Sequence, residues 1–583
     1  MNPTRAHLRL RTCAFFETVV HRGVTCLIAA MLSASVFVCP ARGEDGTPPN
    51  ILLILADDLG FSDLGCYGGE IETPVLDRLA EAGIRFSQCY NTGRCWPTRA
   101  SLMTGFYAQE VRRDFLPGVL SGGAGKRPAW AVMLPEMLNQ VGYRCYHTGK
   151  WHLDGDPIKA GFVSSSPNNP GRYFQPIVDD KGRKVKPLAF RDDFYVTTAM
   201  ASDAVKNLRE HAEHHAEKPF FQYLAFTAPH FPLHALPEDI AKYDDVYLSG
   251  WDAIRNQRWD RMTELGILET GVSRPSGAES TLGPPYHFPD AFERLGPAEV
   301  NRPVAWESLN EKQKVFQAKK MAIHAAMVDR MDREIGRVID QLEQSGVFEN
   351  TLVFFLSDNG ASAEIMVRGD GHDPSAEPGS GATYLCLGPG WSTVGNTPFR
   401  RHKTWTHEGG IATPLIAHWP SGIESQGRVY RGVHHAIDIA ATILDVAQAS
   451  QPEDAPQLTG QSFRGALEGE IVRPKRMLWW YHDGHRAIRI GDWKAVAPYQ
   501  RPWELYDLSK DRIESNDLAS AYPKRLERLK AAWQSQLDHA TELASGDLSP
   551  EALERAKGGN HNRGKMHQAQ LDAMLPESAV IPD

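Results

Sequence analysis

Three short apolar runs, each followed by polar residues, constrain the fold of this chain more than any other feature. They cover residues 51–55, 220–225 and 351–356. A short apolar run between polar residues indicates a strand buried on both faces, as in a parallel sheet. Asp57-Asp58, His230 and Asp358-Asn359 stand at or just beyond the ends of the three runs. Open α/β sheets build their sites at that edge, so we expect these polar residues to lie close together.

Helical periodicity separates the runs. Residues 74–82 begin at a proline, and residues 309–344 carry apolar side chains three or four positions apart. The alternation predicts an α/β fold with a large, mostly parallel or mixed sheet flanked by helices. Residues 161–186 and 234–306 show little periodicity and are expected to form long loops or insertions.

The sequence pattern changes after residue 475. Residues 487–496 and 503–508 alternate as antiparallel strands do, and residues 524–537 follow a helical pattern. We therefore predict a large α/β domain over 44–474 and a smaller C-terminal α+β domain over 475–583. That smaller domain would contain an antiparallel sheet, a terminal helix and an irregular tail from about residue 546.

Residues 1–43 have the features of a secretory signal peptide. An arginine-rich start precedes an apolar stretch over 24–38, and Ala41-Arg-Gly43 offers a small-x-small cleavage site. The apolar stretch is shorter than the roughly 20 residues that a spanning helix needs. We expect an exported protein, periplasmic or secreted, without stable membrane insertion.

The charge balance excludes one class of partner. Removing residues 1–43 changes the formal net charge from −9 to −13. Such an acidic chain is not expected to bind nucleic acid, and an anionic ligand needs a local cationic pocket.

Cys95 begins the run Cys95-Trp-Pro-Thr-Arg99, which fits the pattern C-x-P-x-R. At this pattern sulfatases convert cysteine to formylglycine, whose hydrate carries two hydroxyls on one carbon. Such a group acts as a nucleophile and can later expel its own adduct. The alternative is a buried free cysteine beside a turn-forming proline.

Further segments match the sulfatase family in the same order along the chain. They are the segments 50–65, 142–153, 227–230, 355–360 and 403–414. The chain resembles bacterial arylsulfatases within that family. The resemblance implies an alkaline-phosphatase-like core, with the catalytic machinery in the 44–474 domain.

Four cysteines besides Cys95 remain after residue 43: Cys66, Cys89, Cys145 and Cys386. In an oxidising compartment they could form up to two disulfides, and they are equally compatible with buried free thiols.

Four oxygen-bearing side chains form a candidate metal site: Asp57, Asp58, Asp358 and Asn359. Oxygen donors of this kind suit calcium or magnesium. Helix capping and a tight turn are the structural alternatives for these residues. The resemblance implies calcium, with an oxygen of formylglycine at position 95 as a further ligand.

The resemblance also implies roles for five side chains. Lys150 would contact a sulfate oxygen, and His152 would be the base that helps to release sulfate. His230 and Lys403 would contact the ester oxygen, with His230 as the general acid. Arg99 would hold the hydrated aldehyde. His147, His234 and His407 are expected to be structural.

Three residues depart from the commonest family pattern: Trp96, Thr98 and His407. We expect these departures to affect how efficiently Cys95 is converted to formylglycine more than they affect the mechanism of hydrolysis.

The sequence thus predicts an exported, calcium-dependent sulfuric ester hydrolase. Its partners would be a small-molecule or carbohydrate sulfate ester and a formylglycine-generating or equivalent maturation enzyme. Two alternatives remain: a phosphomonoester or phosphonate hydrolase on the same scaffold, and a non-catalytic protein that binds sulfated glycans and keeps Cys95 unmodified.

Overall fold

The computed structural model of the protein describes residues 48–558 with several gaps. The gaps are 120–121, 124, 167–170, 177–189, 192, 269–288, 370, 425 and 471–475. The predicted signal peptide lies outside the described residues, and so does the end of the chain from residue 559. The described residues all belong to one compact unit, 45–583.

A mixed sheet forms the centre of this unit. Its described strands are β1 (Asn50–Ala56), β2 (Ile84–Tyr90), β3 (Arg144–Gly149), β4 (Ser164–Ser166), β5 (Phe220–Ala225), β6 (Thr351–Ser357), β7 (Ala412–His418), β8 (Arg428–Tyr430) and β9 (His434–His435). Their order is β4-β3-β5-β1-β6-β7-β2-β8, and β9 also pairs with β2. Only β7 runs antiparallel to its neighbours among these strands. The predicted large, mostly parallel or mixed sheet is confirmed.

The central strand β1 shows why its sequence is continuously apolar. Leu52 and Ile54 belong to one hydrophobic cluster, whereas Leu53 and Leu55 belong to a second cluster. Successive side chains of a strand point to opposite faces, so both faces of β1 are covered. The predicted strands at β1, β5 and β6 are therefore the three adjacent strands in the middle of the sheet.

The described residues also form α-helices, several of which flank the sheet. They are α1 (Pro74–Glu81), α2 (Cys95–Thr104), α3 (Leu134–Asn139), α4 (Val196–His214), α5 (Pro237–Ala241), α6 (Gly250–Glu264), α7 (Pro289–Leu295), α8 (Glu311–Gln344), α9 (Gly388–Gly395), α10 (Glu408–Ile411), α11 (Ala436–Val446), α12 (Arg464–Leu467), α13 (Pro523–Ser545) and α14 (Pro550–Gly558). The predicted helices at α1 and α8 are present. Asn310 caps α8 by accepting a hydrogen bond from the Gln313 amide at 3.0 Å.

Helix α6 lies within residues 234–306, which were predicted to form a long loop or insertion. That prediction is wrong for the part of the chain that α6 covers. The helix buries Arg258 together with Trp251 and Ile254. Arg258 contacts Asp63 at 2.7 Å and Glu70 at 2.7 Å. A buried cation on the inner face removes the apolar period by which a helix is recognised in a sequence.

The C-terminal antiparallel sheet is present as predicted. Its strands are β10 (Met477–His482), β11 (His485–Ile490), β12 (Trp493–Ala497) and β13 (Glu504–Asp507), paired in chain order. One face carries Trp480 and packs into the larger hydrophobic cluster. The other face carries Trp479 and packs against Trp533 of α13. The segment predicted to be irregular from residue 546 instead contains α14.

All five cysteines after residue 43 are buried free thiols. The structure therefore decides between the two possibilities that the sequence left open for Cys66, Cys89, Cys145 and Cys386. Among the described helices, none combines the length and the apolar character that a membrane crossing requires.

A buried ion pair joins β10 to the segment after α2. The Nδ1 atom of His482 lies 2.8 Å from Oδ2 of Asp114, and both side chains are almost completely buried. Burial opposes the charged imidazole, but Asp114 and Asp483 outweigh it and raise the pKa of His482 to about 10.

The pH dependence of stability follows from this raised pKa. Because an unfolded histidine titrates near 6.5, the stabilisation is complete below about pH 6.5 and is lost as the pH rises towards 10. The free energy of unfolding of wild type should exceed that of His482→Gln most at pH 6, and the difference should shrink by pH 10. Urea titrations at several pH values measure this difference.

His147→Gln is the matched control for this measurement. Burial and the charge of Arg99 lower the pKa of His147 to about 3, so its ring is neutral from pH 6 to 10 in the folded state, and above about pH 8 it is neutral in the unfolded state as well. The difference between wild type and His147→Gln should therefore stay constant from about pH 8 to pH 10, the range in which the difference for His482→Gln should shrink. A constant difference for His482→Gln as well would contradict the proposed ion pair.

Candidate active site

The polar residues at the ends of β1 and β6 lie side by side, as predicted. The two strands are parallel and in register, with Ala56 opposite Ser357. The next residues, Asp57 and Asp358, therefore leave the sheet together. The amide of Asp58 donates to Oδ1 of Asp358 at 3.4 Å, and Nδ2 of Asn359 donates to Oδ1 of Asp58 at 2.7 Å.

A glycine allows this edge to pack closely. Gly360 follows Asn359, and a Cβ atom at this position would lie 1.9 Å from the carbonyl oxygen of Gly409. The Gly360 amide also donates to the carbonyl of Gly410 at 3.1 Å. Only glycine permits this approach of two backbone segments.

Cys95 is the first residue of α2 and is 3% exposed. Its Sγ lies within 4.8 Å of carboxylate oxygens of Asp57 and Asp358. The hydroxyl of Thr98 accepts from the Thr92 amide at 3.1 Å and lies 2.7 Å from the Thr92 hydroxyl. The threonine that departs from the family pattern therefore ties α2 to the loop before Cys95.

Arg99 connects the motif of Cys95 to the strand ends. Its Nε and Nη2 donate to Oδ2 of Asp358 at 3.0 and 2.7 Å, and Nη1 donates to the Lys150 carbonyl at 2.8 Å. Burial opposes its charge, but Asp358 outweighs this effect and raises the pKa of Arg99. These contacts orient Asp358, whereas the sequence resemblance implied a contact with the modified residue 95.

Two buried lysines compensate the negative charge of Asp57 and Asp58, the two carboxylates that follow β1. The Lys150 ammonium donates to Oδ2 of Asp57. The Lys403 ammonium lies 2.6 Å from Oδ1 of Asp58 and 3.5 Å from Oε2 of Glu364. Burial alone would raise the pKa of Asp57, but Lys150 and the other cations hold it below its usual range.

Sequence reasoning missed Glu364. Its side chain is 5% exposed and also pairs with Arg94 at 3.2 Å. Glu364 pairs with Lys403 and Arg94, which come from two other segments of the chain. The sequence around Glu364 therefore gives no signal that it is the counterion of these two cations.

The oxygen donors at this edge fit a hard divalent cation. Oδ1 of Asp57 and Oδ1 of Asn359 are buried and have no hydrogen-bond partner among the described residues. Burial and the charge of Asp57 raise the pKa of Asp358 well above its usual range. A bound cation would relieve this repulsion and occupy the unpartnered oxygens.

His230 lies on the same edge, after β5. Its Nε2 is 3.7 Å from Oδ2 of Asp58, and its Nδ1 is 2.5 Å from the Phe231 carbonyl. Burial lowers the pKa of His230 to about 4, although Asp58 acts in the opposite direction.

His152 follows the end of β3, where the backbone is no longer extended. Strand β3 ends at Gly149, and the backbone of His152 is left-handed, with a φ of 53°. Lys150 and His152 therefore do not project from one extended segment. The exposed ring of His152 lies against the indole of Trp96, with 5.7 Å between ring centres.

The three histidines expected to be structural make contacts elsewhere in the fold. His147 lies 2.9 Å from the Ser165 hydroxyl, His234 lies 2.8 Å from the Thr383 carbonyl, and His407 lies 3.1 Å from Glu504.

The sequence is similar to those of known sulfatases. The family profile described as Sulfatase matches residues 49–449, and the profile described as N-sulphoglucosamine sulphohydrolase, C-terminal, matches residues 400–542. An uncharacterized sulfatase of Schizosaccharomyces pombe is 30% identical over 89% of this chain and 99% of its own length. An arylsulfatase of Klebsiella aerogenes is 30% identical over 68% of this chain and 86% of its own length.

A solved structure shares the fold. The protein Ps i-CgsB, crystallised in complex with k-i-k-neocarrahexaose, superimposes with a TM-score of 0.60 at 24% identity. The match covers 89% of this chain and 99% of that chain.

Proposed function

The chain belongs to the sulfatase family, and on that premise we propose that it is an exported, calcium-dependent hydrolase of sulfate monoesters whose nucleophile is formylglycine made from Cys95. The observation that carries this proposal is the position of Cys95. It begins a helix and faces Asp57 and Asp358 at the ends of two paired strands.

The substrate is a sulfate ester of a small molecule or a carbohydrate. Three cationic side chains, Arg99, Lys150 and Lys403, surround the carboxylates in an otherwise acidic protein. They supply the local positive charge that a sulfate group needs.

Calcium fits the four oxygen-bearing residues Asp57, Asp58, Asp358 and Asn359. When bound, it would polarise a sulfate oxygen and favour ionisation of the nucleophilic hydroxyl.

Two histidines each move one proton of the reaction. One hydroxyl of hydrated residue 95 gives its proton to solvent and bonds through its oxygen to sulfur while the bond from sulfur to the ester oxygen breaks, and His230 protonates that ester oxygen. His152 then takes the proton of the second hydroxyl as the bond from residue 95 to the sulfate oxygen breaks. Sulfate leaves, and the aldehyde is restored.

The low pKa of His230 describes the protein without substrate. A sulfate ester brings a negative charge next to the imidazole and so raises its pKa. Lys403 also lies near Asp58, the carboxylate beside His230, and is the second candidate for the general acid.

The first prediction from this proposed function concerns Cys95. Cys95→Ala should abolish turnover and leave the fold intact, because the nucleophile is lost while the sheet is untouched. Cys95→Ser should accept a sulfuryl group without releasing it. The mass of the residue-95 peptide and the rate with an aryl sulfate measure both effects.

Cys145→Ala is the control, because Cys145 is a buried free thiol on β3. It should retain activity. Unmodified Cys95 in an otherwise competent host would favour the glycan-binding alternative. Faster turnover of an aryl phosphate than of the aryl sulfate by one preparation would favour the phosphoester alternative.

The second prediction concerns the metal. Dialysis against a chelator should remove activity and lower the melting temperature, and calcium should restore both. Asp358→Ala should not be rescued at moderate calcium concentration. Elemental analysis gives the metal content, and thermal denaturation gives a readout independent of turnover.

The exposed residue Asp454 provides the control variant, Asp454→Ala, which should bind calcium as wild type does. An unchanged rate after exhaustive chelation, with no calcium found, would show that the four-oxygen site is wrong.

The third prediction separates the two histidines. His230→Ala should slow esters with poor leaving groups far more than nitrophenyl-type esters, since general acid catalysis contributes about 10²–10⁴-fold. His152→Ala should bring both ester types towards one common rate after an initial burst of phenol. A leaving-group series with steady-state and burst kinetics measures both effects. Equal losses across the series for His230→Ala would transfer the acid role to Lys403.

A further inference from the structure

Trp96 directly follows Cys95, the proposed nucleophile, and contacts side chains from two other parts of the chain. It is the second residue of α2, and its indole contacts two histidine rings. The centre of the His152 ring is 5.7 Å away, and the centre of the His482 ring is 5.6 Å away, both with edge-to-face geometry. The guanidinium of Arg94 lies 5.4 Å from the indole centre.

His152 depends on this contact for its orientation. The structure shows no hydrogen bond or ion pair to its side chain within the described residues, and Trp96 is its only ring contact there. Its backbone adopts a left-handed conformation with a φ of 53°. A general base must be held within reach of the proton that it takes, and among the described residues the indole of Trp96 is the ring that restrains His152.

Trp96 also contacts the C-terminal sheet through His482. His482 is the last residue of β10, and its side chain is 1% exposed. Its Nδ1 lies 2.8 Å from Asp114, and its Nε2 lies 3.3 Å from Asp483. Gln109 donates a further hydrogen bond to Asp114 at 3.0 Å. The imidazole of His482 is thus hydrogen-bonded through Nδ1 to Asp114 and ion-paired through Nε2 with Asp483, and these contacts hold it beside the indole.

We propose that Trp96 is a positioning residue that holds His152 for the release of sulfate, and that His482 braces Trp96 from the C-terminal sheet. This inference rests on the proposed role of His152 as the base. It gives the bulky residue inside the C-x-P-x-R run a role after maturation, in addition to any effect on maturation itself.

The kinetic consequence is specific. His152 acts only after the leaving group has gone, so a displaced His152 slows the second step and leaves the first step unchanged. For an aryl sulfate, kcat/KM reports the steps up to phenol departure, whereas kcat also includes sulfate release. Loss of Trp96 should therefore lower kcat and KM together and leave kcat/KM unchanged.

The experiment compares Trp96→Ala with Trp96→Phe in full-length, matured protein. Peptide mass first gives the fraction of residue 95 converted, and all rates are expressed per converted enzyme. We expect kcat of Trp96→Ala to fall at least tenfold with a burst of one phenol per site. Trp96→Phe should recover most of the rate, because a phenyl ring preserves an edge-to-face contact.

Trp130→Ala is the matched control. Trp130 also makes an edge-to-face contact, with Phe106 at 5.2 Å, and Phe106 and Trp130 belong to a separate small hydrophobic cluster. Its loss should leave kcat and KM near wild type.

A double-mutant cycle tests whether Trp96 acts through His152. In the His152→Ala background, Trp96→Ala should cause no further loss of kcat, because the base is already absent. Additive losses would overturn the proposal. A raised KM with unchanged kcat would also overturn it and would indicate that the indole contacts the leaving group.

Failure of the proposed function is distinguishable from failure of this inference. If His152→Ala alone shows no burst, the role of His152 itself is wrong. If His152→Ala shows the burst and Trp96→Ala does not, only the positioning role of Trp96 is wrong.

Discussion

The parallel pairing of β1 with β6 places two carboxylates, Asp57 and Asp358, next to each other in a buried position. Like charges at close range in a low-dielectric interior are unfavourable unless cations compensate them. Arg99 and Lys150 supply compensating positive charge from α2 and from the end of β3. Ion pairs therefore accompany the backbone pairing at this edge of the sheet, and under the proposed function the same charges would bind a cation and an anion.

The C-terminal sheet is part of this arrangement. Lys494 of β12 lies 2.9 Å from Glu408 and 2.8 Å from Glu514, and all three side chains are buried. Glu408 begins α10, next to the glycines that approach Gly360. Through the contacts of Lys494 with Glu408 and of His482 with Trp96, the smaller sheet contacts the candidate site at two points. If Trp96 positions His152 as we propose, substitutions in the C-terminal sheet will change the chemistry without touching a residue that contacts substrate.

The sequence predicted the parts of the structure that depend on local pattern. Continuous apolar runs identified β1, β5 and β6, because strands buried on both faces have no polar side. The order of the strand-end residues predicted that Asp57 and Asp358 meet, since neighbouring parallel strands end at one edge. Helix α6 escaped detection because it buries Arg258, whose partners lie nearly two hundred positions away.

The sequence by itself determined the α/β class, the strand ends and the motif around Cys95. Only the tertiary structure decided that the four remaining cysteines are free thiols, that Glu364 pairs with Lys403, and that Trp96 contacts both His152 and His482. Each of these outcomes depends on which distant segments pack together. A local pattern fixes the type of an element and the direction of its side chains, whereas the neighbour on the other side of a contact is set by the packing of the whole chain.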